Sequence, residues 1–148
     1  MRYLGLDLGS KTIGVALSDT TMTIASIYKT IYFKNEDYYS TIYEIEKIVR
    51  ENDVKKIILG FPKNMNNTLG ERAMVTTEYQ KKLEESLNIP VILFDERLTS
   101  VISNSVLIDA DMSRKKRKKK VDGLAAQIIL QDYLNKERNE RNEQRKYF

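Results

Sequence analysis

The 148-residue chain reads as an α/β domain, a five-stranded mixed sheet with helices on both faces. Three observations predict it. Two alternating apolar runs flank a short turn near the N-terminus and give an antiparallel start. Two short apolar strands later in the chain each follow a helical segment, which makes βαβ connections. No linker, repeat or change of composition divides the sequence, so residues 1–148 are expected to form one domain.

The elements follow in order. Leu4, Leu6 and Leu8 alternate with Gly5 and Asp7, and Ile13, Val15 and Leu17 repeat the pattern. Gly9, Ser10 and Lys11 between them supply turn chemistry, so the two strands form a hairpin. Residues 25–33 are β-branched and aromatic and predict a third strand. Asn35, Glu36 and Asp37 look like a helix start, with acids at the positive end of the dipole. Tyr38, Ile42, Ile45, Ile48 and Val49 then keep helical spacing to about residue 52.

Residues 56–60 are a short apolar strand, stopped by Phe61 and Pro62. A polar, turn-like stretch runs over 63–70. A second helix covers 71–87 on a thin stripe of Ala73, Tyr79, Leu83 and Leu87. Pro90 ends the connection and 91–94 form the fifth strand. A short helix is expected over 99–108. The basic stretch at about 112–120 reads as a mobile loop, because like charges repel. Val121, Leu124, Ala125, Ile128 and Ile129 set a last amphipathic helix, and the polar tail at about 135–148 extends that helix or frays.

Composition narrows the chemistry. Apolar residues make up 41% and charged residues 31%, which suits a folded domain able to bury a core. There is no cysteine and no histidine. Disulfides, thiolate or imidazole metal sites and Ser-His or Cys-His catalysis are therefore excluded. Catalysis would rest on carboxylates, Lys, Arg and hydroxyls, with a hard, oxygen-ligated cation as the natural cofactor. No signal peptide and no run of membrane-spanning length is visible, so the expected location is cytoplasmic, without a membrane partner.

The net charge of +4 is concentrated. Arg114, Lys115, Lys116, Arg117, Lys118, Lys119 and Lys120 are consecutive, and the rest of the chain is mildly acidic. Such a block attracts phosphates, nucleic acid above all.

Three acidic positions carry the candidate chemistry. Asp7 interrupts a strand between Leu6 and Leu8. As a structural residue it would close the following turn, while Gly5 and Gly9 leave room for a close approach. Asp95, Glu96 and Arg97 follow the fifth strand at its C-terminal end, where ligands of parallel sheets gather and where helix-capping acids are also welcome. Asp122 opens the last helix, as a cap or as a site residue. If the first, fourth and fifth strands run parallel, these acids approach one edge. Clustered carboxylates repel unless cations separate them, so the site would hold one or two Mg²⁺ or Mn²⁺ ions. In phosphodiester hydrolysis such ions activate water and neutralise the leaving oxyanion.

Four stretches, GLDLGSKTIGVALSD (5–19), GFPKNMNNTLGERA (60–73), DERLTS (95–100) and KKVDGLAAQIILQDYL (119–134), occur in a characteristic order and spacing. Together they resemble the YqgF/RuvX family, whose members are described as pre-16S rRNA nucleases and Holliday junction resolvases. The resemblance implies an RNase H-like fold and an acidic metal-binding triad of Asp7, Glu96 and Asp122. Asp95 is a further metal candidate, and spacing does not decide which of Asp95 and Glu96 faces the metal. The family's usual Gly-Leu-Pro appears as Gly60-Phe61-Pro62. In related junction resolvases an acid follows the fourth strand; here the fifth strand must supply it.

Lys11 and Arg97 are candidates to hold the scissile phosphate, or to form surface salt bridges. Asn64 and Asn67 would contact substrate or shape their turn. The basic run would track a nucleic-acid backbone. The leading expectation is a metal-dependent endonuclease that matures the 5′ end of precursor 16S rRNA. The alternatives are a resolvase of branched DNA, which needs a homodimer for paired cuts, and a non-catalytic nucleic-acid adaptor. An ATPase fragment of the sugar-kinase or actin type shares the Asp-x-Gly-Ser opening, but such proteins need two domains to clamp a nucleotide.

Overall fold

The computed structural model describes residues 1–9, 11–34, 37–61, 71–95 and 114–146, with 71–72, 114–122 and 143–146 described as backbone. One sheet holds strands β1 (Arg2–Leu8), β2 (Thr12–Ser18), β3 (Ala25–Tyr32), β4 (Val54–Phe61) and β5 (Val91–Asp95), in the spatial order β3-β2-β1-β4-β5. β1, β2 and β3 form the antiparallel meander, whereas β1, β4 and β5 run parallel. The helices are α1 (Ile42–Glu51), α2 (Glu71–Leu87) and α3 (Arg114–Lys146).

Alternation sorts the sheet's side chains into two cores. Leu4, Leu6, Leu8, Ile13, Val15, Ile31, Ile57, Leu59 and Val91 face one way and pack with Ile45 and Ile48 of α1 and with Tyr79 and Leu83 of α2. Tyr3, Ala16, Ala25 and Ile58 face the other way, against Ala126, Ile129, Leu130 and Leu134 of α3. Helices therefore cover both faces.

The hairpin between β1 and β2 is closed by the Gly9 N–H, which donates to the Thr12 carbonyl at 2.7 Å. A side chain at residue 9 would collide with that carbonyl, so glycine is required there. Between β2 and β3, Asp19 accepts bonds from the Thr21 hydroxyl and the Thr23 and Ile24 amides. Led by the Thr21 bond, these hold its carboxyl down to about 2.

Three expectations need correction. The first α-helix begins at Ile42 rather than directly after Asp37: Asp37 precedes a 3₁₀ turn at Tyr38–Thr41 that leads into α1, and it makes no side-chain capping bond, while residues 35 and 36 lie outside the described residues. The basic stretch at 112–120 is not a loop from Arg114 onward, because α3 begins there and Asp122 lies about two turns inside it. Lys and Arg are good helix formers, and that propensity prevails over their mutual repulsion. The buried stripe of α3 is also shifted. It runs through Gly123, Ala126, Ile129, Leu130 and Leu134, while Leu124, Ala125 and Ile128 are half-buried. Small residues on the stripe let the helix sit close to the sheet. The expected helix over 99–108 lies outside the described residues. Among the described residues, no helix is long and apolar enough to cross a membrane.

Candidate active site

Asp7 is half-buried on the face of β1 that α3 covers, together with Tyr3 and Gly5. Its partner across β2 is Gly14, which brings no side chain against it. The Asp7 carboxylate makes no hydrogen bond or ion pair with any other described residue. A half-buried carboxylate is able to accept from a donor or to hold a cation.

The parallel strands bring a second acid to the same edge. Leu6 is level with Leu59, Gly60 with Phe94 and Phe61 with Asp95. Asp7 therefore stands level with Phe94, two strand spacings or about 10 Å away, and Asp95 is one residue beyond. The faces differ, however. Ile92 and Phe94 join the α3 side, while Val91 and Leu93 join the α1/α2 side. Strand alternation assigns Asp95 to the α1/α2 side, opposite Asp7.

The third acid is carried by α3, which runs antiparallel to β1. Tyr3 donates its hydroxyl proton to Glu137 at 2.9 Å, while Gly5 meets Ala126 and Leu130. From Gly5 to Asp7 the strand advances about 7 Å, and from Ala126 back to Asp122 the helix retreats about 6 Å. The helix backbone at Asp122 thus comes level with Asp7.

The opposite end of the sheet is fastened. Lys56 Nζ lies 3.1 Å from the Tyr133 hydroxyl and 3.4 Å from Glu137 Oε2. The same ammonium sits 4.9 Å from the Tyr3 ring centroid and 5.4 Å from that of Tyr133. Burial pushes the Glu137 carboxyl up, but the Tyr3 hydrogen bond and the Lys56 charge outweigh it and hold it below its ordinary value. Burial pulls Lys56 down, and Tyr133 and Glu137 more than restore it, so it lies above its ordinary value. Nothing in the sequence pattern singled out this cluster, since its members are separated by up to 134 positions.

Of the predicted site residues, Asp7, Asp95 and Lys11 lie among the described residues, with Lys11 exposed at the hairpin. Asp122 and the basic run are on α3, their side chains outside the described part. Glu96, Arg97, Asn64 and Asn67 lie outside the described residues. Among the described residues no three acidic side chains converge on a cation site. Sequence reasoning did not single out Gly14, although a glycine inside a strand is a signal of close approach.

Similarity to known proteins agrees with this layout. The family described as "RuvX: Holliday junction resolvase" matches residues 1–136. A protein of Oceanobacillus iheyensis named "Putative pre-16S rRNA nuclease" is 50% identical over 135 residues, 91% of this chain and 98% of that protein. The fold resembles Thermus thermophilus RuvC in complex with a Holliday junction substrate, at a TM-score of 0.57 and 10% identity, covering 87% of this chain and 91% of that one. It also resembles the fowlpox virus Holliday junction resolvase, at a TM-score of 0.56 and 17% identity, covering 92% and 99%. The architecture is thus the RNase H-like fold, and the chain belongs to the RuvX family.

Proposed function

We propose that this protein is an endonuclease that hydrolyses phosphodiester bonds with a divalent cation, and that its substrate is the 5′ end of precursor 16S rRNA in the cytoplasm. The observation that carries the reading is Asp7: half-buried, its carboxylate bonded to no other described residue, at the edge where β5 ends and α3 returns. The names of the family and of its relatives support nuclease chemistry.

The donor set fits a hard cation. A chain without histidine or cysteine can offer only oxygen ligands, which Mg²⁺ and Mn²⁺ prefer. Asp7, Glu96 and Asp122 would hold the ion or ions. Strand alternation supports Glu96 over Asp95 as the ligand from β5, because Asp95 belongs to the opposite face. When bound, a divalent ion supplies charge neutralisation at the scissile phosphate and makes water a better nucleophile. Lys11 and Arg97 would neutralise the phosphate's non-bridging oxygens, Arg97 with a planar fork suited to two of them. Asn64 would contact the strand, and Arg114 to Lys120 would hold its backbone through charge alone.

A branched-DNA substrate is the second reading, favoured by the family's description. It requires a homodimer to place two cuts on a two-fold substrate. The test is to offer the purified protein a precursor 16S 5′-end RNA and a four-way DNA junction in Mg²⁺, Mn²⁺ or EDTA. Metal-dependent cleavage of the RNA supports the first reading. Paired cuts in the junction support the second. Binding of either without cleavage overturns both and leaves an adaptor.

A further inference from the structure

We propose that Tyr32 is a stacking platform for an unpaired base of the nucleic-acid strand whose phosphate lies at the Asp7 edge; this rests on reading that edge as a nuclease site.

The strand register places Tyr32 on the right face. In the second half of β3, Lys29 pairs with Glu44 of α1 at 3.6 Å, and Ile31 and Phe33 are buried in the α1/α2 core. Thr30 and Tyr32 therefore project from the opposite face, the one Asp7 shares. The pairing confirms the line: Asp7 is opposite Gly14, and Gly14 is opposite Thr30. Because β3 is parallel to β1, Tyr32 lies two residues further towards the edge at which Asp7 stands. Two strand spacings and two residues put it about 12 Å from Asp7.

The ring is available. Tyr32 ends an edge strand, is 63% exposed, and its hydroxyl makes no hydrogen bond with another described residue. Tyr28 of the same strand is less exposed and accepts a bond from Asn52 at 3.4 Å. Lys11 lies just off the end of β2, the strand between β1 and β3, and its carbonyl accepts from the Phe33 amide at 3.0 Å, tying the hairpin to the end of β3.

The backbone of α3 carries the basic run towards this track. A Cβ on Gly123 would meet Ile27 at 2.7 Å, while Gln127 donates to the Ala25 carbonyl at 3.0 Å, so α3 runs antiparallel to β3. Followed back from Gly123 at 1.5 Å per residue, α3 heads in the direction of Tyr32 and carries the basic residues Arg114 to Lys120. Seven cations at the positive end of a helix are opposed by its dipole, and a polyanion beside them removes that conflict. Phosphates held by cations with a base laid on an aromatic ring is how single strands are bound without reading their sequence. The ligand class is therefore a strand unpaired next to the cut, rather than a continuous duplex.

The chain contains no tryptophan, so Tyr32→Trp creates a unique fluorophore at this position. The full-length variant is titrated in EDTA with a single-stranded oligoribonucleotide, and then with the same sequence as a duplex. Tyr43→Trp, on α1 and 76% exposed, reports on the opposite face. The expected result is saturable quenching at position 32 by the single strand and none at position 43. In parallel, Tyr32→Ala should bind the single strand roughly ten-fold more weakly, Tyr32→Phe should bind like the wild type, and duplex affinity should change less. Unchanged affinity of Tyr32→Ala, equal quenching at both positions, or no binding of the single strand overturns the proposal. Cleavage is scored separately: quenching and weakened binding without metal-dependent cleavage by the wild type would sink the nuclease reading alone.

Discussion

Gly5 lies directly beneath Leu130: a Cβ built on Gly5 would stand 2.8 Å from the Leu130 Cβ and 3.0 Å from the Ala126 carbonyl oxygen. Neither of those atoms is the tip of a flexible side chain. The contact fixes how closely α3 sits on β1, and through the helix it sets the level of Asp122 relative to Asp7.

Gly5→Ala should therefore force α3 off the sheet and cost about 1–3 kcal/mol, read by urea denaturation. Gly123→Ala makes a useful contrast. The three atoms nearest its new methyl all belong to the Ile27 side chain, which is 43% exposed on an edge strand, and alanine favours the helix. It should cost much less than Gly5→Ala. Equal stability of Gly5→Ala and wild type would show that the helix does not press on β1.

The cluster of Tyr3, Lys56, Tyr133 and Glu137 should make stability depend on pH at both extremes. Glu137 titrates below its ordinary 4.5 in the folded protein, so its contribution is present above 4.5 and lost as pH falls through the lower folded value. Lys56 titrates above its ordinary 10.5, so its contribution is present below 10.5 and lost as pH rises through the higher folded value. Urea denaturation of wild type and Glu137→Gln should show the wild type ahead near neutral pH. The gap should shrink below about pH 4.5. A constant gap from pH 3 to pH 7 would contradict the assignment.

Asp95 and Glu96 should separate in a cleavage assay. Asp95 belongs to the α1/α2 face by alternation, so Asp95→Asn should keep most of the activity, whereas Glu96→Gln should lose it. The reverse order would mean that β5 departs from regular alternation at its end.

Cation binding has its own readout. Mg²⁺ or Mn²⁺ at 100 times its dissociation constant should stabilise the wild type by about 2.7 kcal/mol. The rise in melting temperature should vanish in Asp7→Asn. Without metal that variant should be no less stable than wild type, because the Asp7 carboxylate makes no hydrogen bond or ion pair with another described residue. An equal metal-induced shift in both proteins would remove Asp7 from the ligand set.

Much of the fold was legible because the strands carry regular alternation. Leu4, Leu6 and Leu8, and Ile13, Val15 and Leu17, pair as the pattern requires, and α2 spans the residues its stripe marked. The α3 segment was harder. Charge repulsion and helix propensity oppose each other over the basic run, and sequence alone does not weigh them. The tail, polar up to residue 146, continues α3 that far, held in part by Glu137 pairing with Arg141 at 3.4 Å. In the candidate site, Asp7 stood out as a charge inside an apolar strand. The opposite facing of Asp95 did not, because it depends on the register of β5 with β4.

Whether Asp7 holds the catalytic ion is decided by cleavage of a precursor 16S 5′-end RNA by wild type and Asp7→Asn, each with Mn²⁺ and with EDTA. The expected result is cleavage by the wild type with metal only, and none by Asp7→Asn under either condition. Undiminished cleavage by a clean preparation of Asp7→Asn would contradict it.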